Sequence, residues 1–170
     1  FVGKESGRSN TTGSNNTFLG ERAGLANTSG ANNTYCGAST GNGNTEGSDN
    51  VFVGAAAGQL TQGDENTFIG RWAGYNGGSG DNNTFMGYNS GYSTTGNNNT
   101  VMGNNAGFNN TTGTNNCFIG NNAGNSSVSG SSNIFIGVNS GTSNGTIGAS
   151  VALGQGAISG GNNSIVLGTG

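Results

Sequence analysis

The chain has 170 residues, of which 37 are glycine and none is proline or histidine; four basic and seven acidic side chains give a net charge of −3. Hydrophobic residues other than glycine make up 29%, so much of the apolar inventory is glycine rather than side chains able to fill a core. All eleven charged residues lie before residue 82, no basic stripe exists, and no apolar run reaches the length of a membrane helix; neither a nucleic-acid partner nor a membrane contact is expected of this segment.

Disordered chains lack aromatics and carry high net charge. Here eight Phe, four Tyr and one Trp recur at regular spacing. In chain order, FVG at 1–3 is followed by NTFLG at 16–20, NTYCG at 33–37, NVFVG at 50–54, NTFIG at 66–70 and NTFMG at 83–87. NTVMG at 99–103, NCFIG at 116–120, NIFIG at 133–137, SVALG at 150–154 and IVLG at 165–168 complete the series. The closing glycines stand sixteen or seventeen residues apart until the last step, which falls to fourteen. Val, Ile, Phe and Thr favour strands, and the flanking glycines bound each strand at four or five residues. A helix carrying a glycine every few residues would lose roughly 1 kcal/mol at each. The pattern therefore predicts an all-β chain: one parallel β-solenoid over residues 1–170, a β-roll of about ten coils of 16–17 residues with a shorter last coil. Each coil adds about 4.8 Å along the axis.

A second short strand is expected after each closing glycine. There Ala23, Thr40, Ala57, Ala73, Ser90, Ala106, Ala123 and Ser140 form a column of small residues that lets two walls of the coil approach. The glycines that follow, from Gly24 to Gly141, are expected at corners with positive φ, where a Cβ would clash. A third glycine column, from Gly13 to Gly130, marks the turn back. Asn16, Asn33, Asn50, Asn66, Asn83, Asn99, Asn116, Asn133 and Asn163 precede the strands and are expected to stack as an amide ladder along the axis.

Two apolar columns run through the strands. One is Phe1, Phe18, Tyr35, Phe52, Phe68, Phe85, Phe118 and Phe135; the other is Leu19, Val53, Ile69, Met86, Met102, Ile119, Ile136, Leu153 and Leu167. Side chains alternate between faces of a strand, so these columns point opposite ways. The aliphatic column is assigned to the solenoid core and the aromatic column to an oligomer interface or the core. A wet phenylalanine ladder would exceed the patch size that monomers tolerate, which argues for a homo-oligomer. The alternative is that bends bring both columns into one core. Unpaired strand edges at the coil ends also permit lengthwise growth into a filament.

Cys36 and Cys117 fall in different repeats and at different repeat positions, which reads as two small apolar fillers rather than a disulfide. Neither a metal site nor a cofactor is expected. Asp64 with Glu65, and Glu46 with Asp49, are the only carboxylate clusters, and both fall in turns. With no histidine and no activated nucleophile, an enzyme is not expected. Rows such as NTTG at 10–13, NTSG at 27–30, STTG at 93–96 and NTTG at 110–113 offer an alternative: a surface that binds carbohydrate or ice through Thr and Asn. The segment starts partway into a repeat and is read as part of a longer chain.

The closing stretch SVALGQGAISGGNNSIVLGTG, 150–170, resembles the head repeats of YadA-like trimeric autotransporter adhesins. Ser150, Val151, Ala152, Leu153 and Gly154 match the strand of that repeat, and Ala157 and Gly160 follow. The longer NNTFIG-type units resemble β-roll repeats of bacterial surface and phage tail-fibre-like proteins. The resemblance implies a left-handed parallel β-roll, three chains wide, displayed outside the cell on a fibre, spike or adhesin, with a surface glycan or matrix receptor as partner. Relative to that family, the units here are two or three residues longer, and Phe stands where the family has Ala.

Overall fold

The computed structural model describes residues 1–168, which form strands and turns only. The strands are β1 (Thr17–Leu19), β2 (Thr34–Cys36), β3 (Val51–Val53), β4 (Thr67–Ile69), β5 (Thr84–Met86) and β6 (Thr100–Met102). There follow β7 (Cys117–Ile119), β8 (Ile134–Ile136), β9 (Gly141–Thr142), β10 (Val151–Leu153), β11 (Ile158–Ser159) and β12 (Ile165–Leu167). Ten of them make one parallel sheet in the order β1 to β8, then β10 and β12, while β9 and β11 pair separately. Successive strands are in register, so that Phe18 sits opposite Tyr35, Tyr35 opposite Phe52 and Phe52 opposite Phe68. The chain is a parallel β-solenoid, as its period predicts.

The second strand of each coil is realised only near the C-terminus, as β9 and β11. Elsewhere that wall is built of turns. The reason is local: a non-glycine residue at positive φ (Arg22 at 56°, Ser39 at 56°) precedes the small-residue column, and a glycine at positive φ (Gly24 at 59°, Gly41 at 55°) follows it. Extended backbone cannot persist between two left-handed residues. Coil-to-coil bonding continues regardless, with the Gly24 N–H donating to the Thr40 carbonyl and the Gly41 N–H to the Ala57 carbonyl, both at 2.9 Å.

The aromatic column forms the core. From Phe18 to Phe135 its members are at most 1% exposed. The rings stack along the axis, with centroids 4.9 Å apart for Phe18 and Tyr35, 4.8 Å for Tyr35 and Phe52, and 4.6 Å for Phe68 and Phe85. Val101 interrupts the stack, which resumes with Phe118 and Phe135 at 5.1 Å. Phe1, at the open end, is exposed.

The aliphatic column assigned to the core lies on the outside. Leu19 is 47% exposed, Val53 37% and Leu167 69%; Met86 and Ile136 are also exposed, and Ile69, Met102, Ile119 and Leu153 are half-buried. The cause is the width of the coil. The facing wall brings a glycine directly onto each ring: a Cβ on Gly24 would come within 2.5 Å of the Phe18 ring, and one on Gly41 within 2.5 Å of Tyr35. That gap is matched to flat rings stacked at strand spacing, and the smaller Val101 and Ala152 occupy the same column. The aliphatic side chains, on the opposite strand face, must then face outward.

The Asn ladder runs through the interior from Asn33 to Asn133, with Asn16 half-buried at its start. Direct amide-to-amide bonds occur at two steps, where Asn99 Nδ2 donates to Asn83 Oδ1 and Asn116 Nδ2 to Asn99 Oδ1, both at 3.1 Å, and bonds to backbone make up the rest. Each Oδ1 accepts the backbone N–H of the next Asn (Asn50 to Asn33 at 3.0 Å, Asn66 to Asn50 at 2.9 Å). Apart from Asn83, the Nδ2 atoms from Asn16 to Asn133 donate to a carbonyl in the next coil, as Asn50 does to Gly63 and Asn66 to Gly80, both at 2.9 Å. Asn163 is not a member. It is exposed at φ 56°, in the corner position that Asn15 and Asn32 hold, because it stands five residues before its closing Gly168, whereas every ladder Asn stands four before its own, and β12 keeps the regular register on β10. Ser150 and Ser164 take the ladder position there; the Ser150 N–H donates to Asn133 Oδ1 at 3.1 Å.

Candidate functional site

The sheet's outer surface carries two side-chain columns at the first and third strand positions. The first reads Thr17, Thr34, Val51, Thr67, Thr84, Thr100, Cys117, Ile134, Val151 and Ile165; the third is the aliphatic column with Cys36 in it. Every member is exposed or half-buried. From Ile134 onward both columns are apolar: Ile134, Ile136, Ile165 and Leu167 are all exposed, and Val138 lies exposed just beyond β8. The third column is aliphatic apart from Cys36, and the first bears hydroxyls at Thr17, Thr34, Thr67, Thr84 and Thr100.

Both cysteines belong to this surface. Cys36 lies in the aliphatic column and Cys117 in the threonine column, each a half-buried free thiol. Burial pushes the Cys117 thiol above its ordinary pKa, so it is a weak nucleophile at neutral pH.

The predicted Thr and Asn rows turn partly inward. Asn27, Thr94 and Asn110, which begin or sit within those rows, are fully buried. The next threonines use their hydroxyls on the neighbouring coil: Thr11 donates to the Thr28 carbonyl and Thr28 to the Thr45 carbonyl at 3.0 Å, and Thr111 to the Val128 carbonyl at 2.9 Å. This second interior polar column, from Asn27 through Asn44, Thr61, Thr94, Asn110 and Ser127, is not among the expected sites. The available signal was a polar residue three positions after each of Gly24, Gly41, Gly58, Gly91, Gly107 and Gly124.

The aspartates Asp49, Asp64 and Asp81 tie neighbouring coils together. Asp64 accepts the Ser48 N–H at 2.7 Å, Asp81 accepts the Asp64 N–H at 2.9 Å, and Asp49 accepts Asn32 Nδ2 at 3.0 Å. Glu5 bridges Arg22 at 2.8 Å and Arg8 at 2.9 Å, and the hydrogen bond from Arg22 lowers its carboxyl pKa. Among the described residues no group of three or more His, Cys, Asp or Glu gathers so as to hold a metal ion.

Compared with protein-family models, curated proteins and solved structures, the chain matches none.

Proposed function

We propose that this segment is a structural repeat element of an extracellular fibre, spike or adhesin, assembled with further copies of itself, three in all, through the outer face of its ten-stranded sheet. The observation that carries the reading is the outward-facing aliphatic column, exposed or half-buried at every rung, that runs the length of that face. Ten rungs three residues wide give the whole face an area on the order of 500 Å², and the aliphatic column is a continuous apolar line along it.

A second copy is the occupant that the geometry favours. An identical chain presents the same column at the same axial pitch, so one good contact repeats at every rung. A partner without this period would match at one rung and clash at the next. The threonine column supplies the polar margin that interfaces place around an apolar centre. An exported rod rich in amides and hydroxyls, with no charged side chain after Asp81, also suits a spacer that must remain inert along its flanks.

The two thiols report on this directly, since both project from that face. Treating the native protein with a short bismaleimide should give covalent dimers and trimers. They should disappear in the Cys36→Ser, Cys117→Ser double variant. Monomers alone at every concentration tested would contradict the reading.

A further inference from the structure

A corner of the coil, away from the sheet's outer face, presents amides on consecutive turns. Asn89, Asn105, Asn122 and Asn139 share one corner position, with φ between 52° and 55°. Asn89 Nδ2 donates to Asn105 Oδ1 at 3.0 Å, and Asn122 Nδ2 to Asn139 Oδ1 at 3.2 Å. On the adjoining wall Asn109 Nδ2 donates to both the side-chain and backbone oxygens of Asn125, each at 3.0 Å. Two hollows, about 340 and 370 Å³, open between these columns and share Asn109 and Asn125.

The internal bonds leave much of the amide chemistry unused. Among the described residues, Asn105, Asn125 and Asn139 donate through Nδ2 to no protein atom, and the Oδ1 atoms of Asn109 and Asn122 accept from none. The hollows therefore collect donors and acceptors on neighbouring rungs, at a spacing close to the length of one pyranose ring.

An aromatic ring ends at the same place. Tyr75, Tyr92 and Phe108 stack on the outside of the wall with centroids 5.0 and 4.9 Å apart. On the next rung the position belongs to Asn125, so one face of Phe108 has no aromatic neighbour, and Phe108 lines the larger hollow. The electron-rich face of a ring attracts polarised C–H groups. No residue after Asp81 carries a formal charge, which leaves nothing in the groove to pair with an ionic ligand.

We propose that this groove binds a neutral glycan chain, with Phe108 stacking on one sugar ring and the free amides of Asn105, Asn125 and Asn139 bonding hydroxyls of the rings beside it. Convergent polar groups next to an apolar platform are the usual anatomy of a small-ligand site. The proposal is independent of the assembly reading, because the groove lies on a different side of the coil.

The test titrates the 170-residue segment with neutral hexasaccharides of glucose, mannose and galactose, and with hexagalacturonate as the charged comparison, followed by amide chemical-shift changes. Saturable binding of at least one neutral chain is expected, with shifts centred on Asn105, Phe108 and Asn125. Asn125→Tyr extends the outer stack over the free face of Phe108 and should weaken binding at least about tenfold, while Phe108→Tyr keeps the ring and should retain it. The proposal is overturned if no neutral chain binds, if only the acidic chain does, or if affinity survives Asn125→Tyr. Light scattering on the same samples separates the two readings, since losing the glycan leaves the assembly mass unchanged.

Discussion

Tyr35 shows at one residue what the interior tolerates. Its ring lies between Phe18 and Phe52 at the regular stacking distance, but its hydroxyl is buried without a hydrogen-bond partner among the described residues. A buried unpaired hydroxyl costs about 1–3 kcal/mol, so Tyr35→Phe should raise stability by roughly that amount in urea unfolding. Burial also drives the Tyr35 pKa well above the ordinary tyrosine range. The raised folded-state value means the stability linked to this group is intact below the unfolded tyrosine pKa, near about 10, and falls as pH climbs beyond it. Titration followed at the phenolate absorbance should therefore leave one of the four tyrosines protonated until the protein unfolds, and the Tyr35→Phe variant should lose that late step. Asn66 makes the complementary case. It joins three coils, since its N–H donates to Asn50, its Oδ1 accepts from Asn83 and its Nδ2 donates to Gly80. Asn66→Ala strands a buried N–H and a buried carbonyl, so a loss of about 2–5 kcal/mol is expected in the same unfolding measurement.

At the level of the coil, strand and facing turn are complementary in a way that can be read residue by residue. A ring at Phe1, Phe18, Tyr35, Phe52, Phe68, Phe85 or Phe118 is met six residues later by a glycine that closes onto it. Gly24→Ala combines a left-handed backbone, at φ 59°, with a Cβ driven into the Phe18 ring. Together these should destabilise by about 2–5 kcal/mol. Gly156→Ala provides the comparison: φ is 67° but nothing lies within 4 Å, and only the backbone term of about 1–2 kcal/mol remains. Equal losses for the two variants in chemical denaturation would show that the wall does not close on the rings. The existence, position and register of the strands were legible in the sequence because the aromatic and the closing glycine recur at a fixed period. Which strand face is interior was not legible from alternation, since Phe18 and Leu19 are both apolar and alternation says only that they part company. The glycine six residues on held the answer, because only a ring needs that wall to be bare. The second interior polar column escaped for a related reason: Asn10 and Asn27 head runs of Thr and Ser that look wet, and only the turn geometry rotates Asn27 inside.

For the molecule as a whole, the fold resolves one half of its apolar inventory and exposes the other. The aromatic spine satisfies the interior of a single chain, so the solenoid has a core without any partner. What remains is a column from Leu19 to Leu167 that faces outward on a ten-stranded sheet. The corner amides and Phe108 stand on another side, which leaves a rod free to assemble along one face and to meet a ligand on another. The assembly claim is tested most directly by light scattering coupled to size exclusion on the untagged segment in dilute solution. A mass of three times 16.6 kDa, reduced to one chain by Ile69→Asp with Ile119→Asp, is the predicted result; a stable single chain of 16.6 kDa across the concentration range would contradict it.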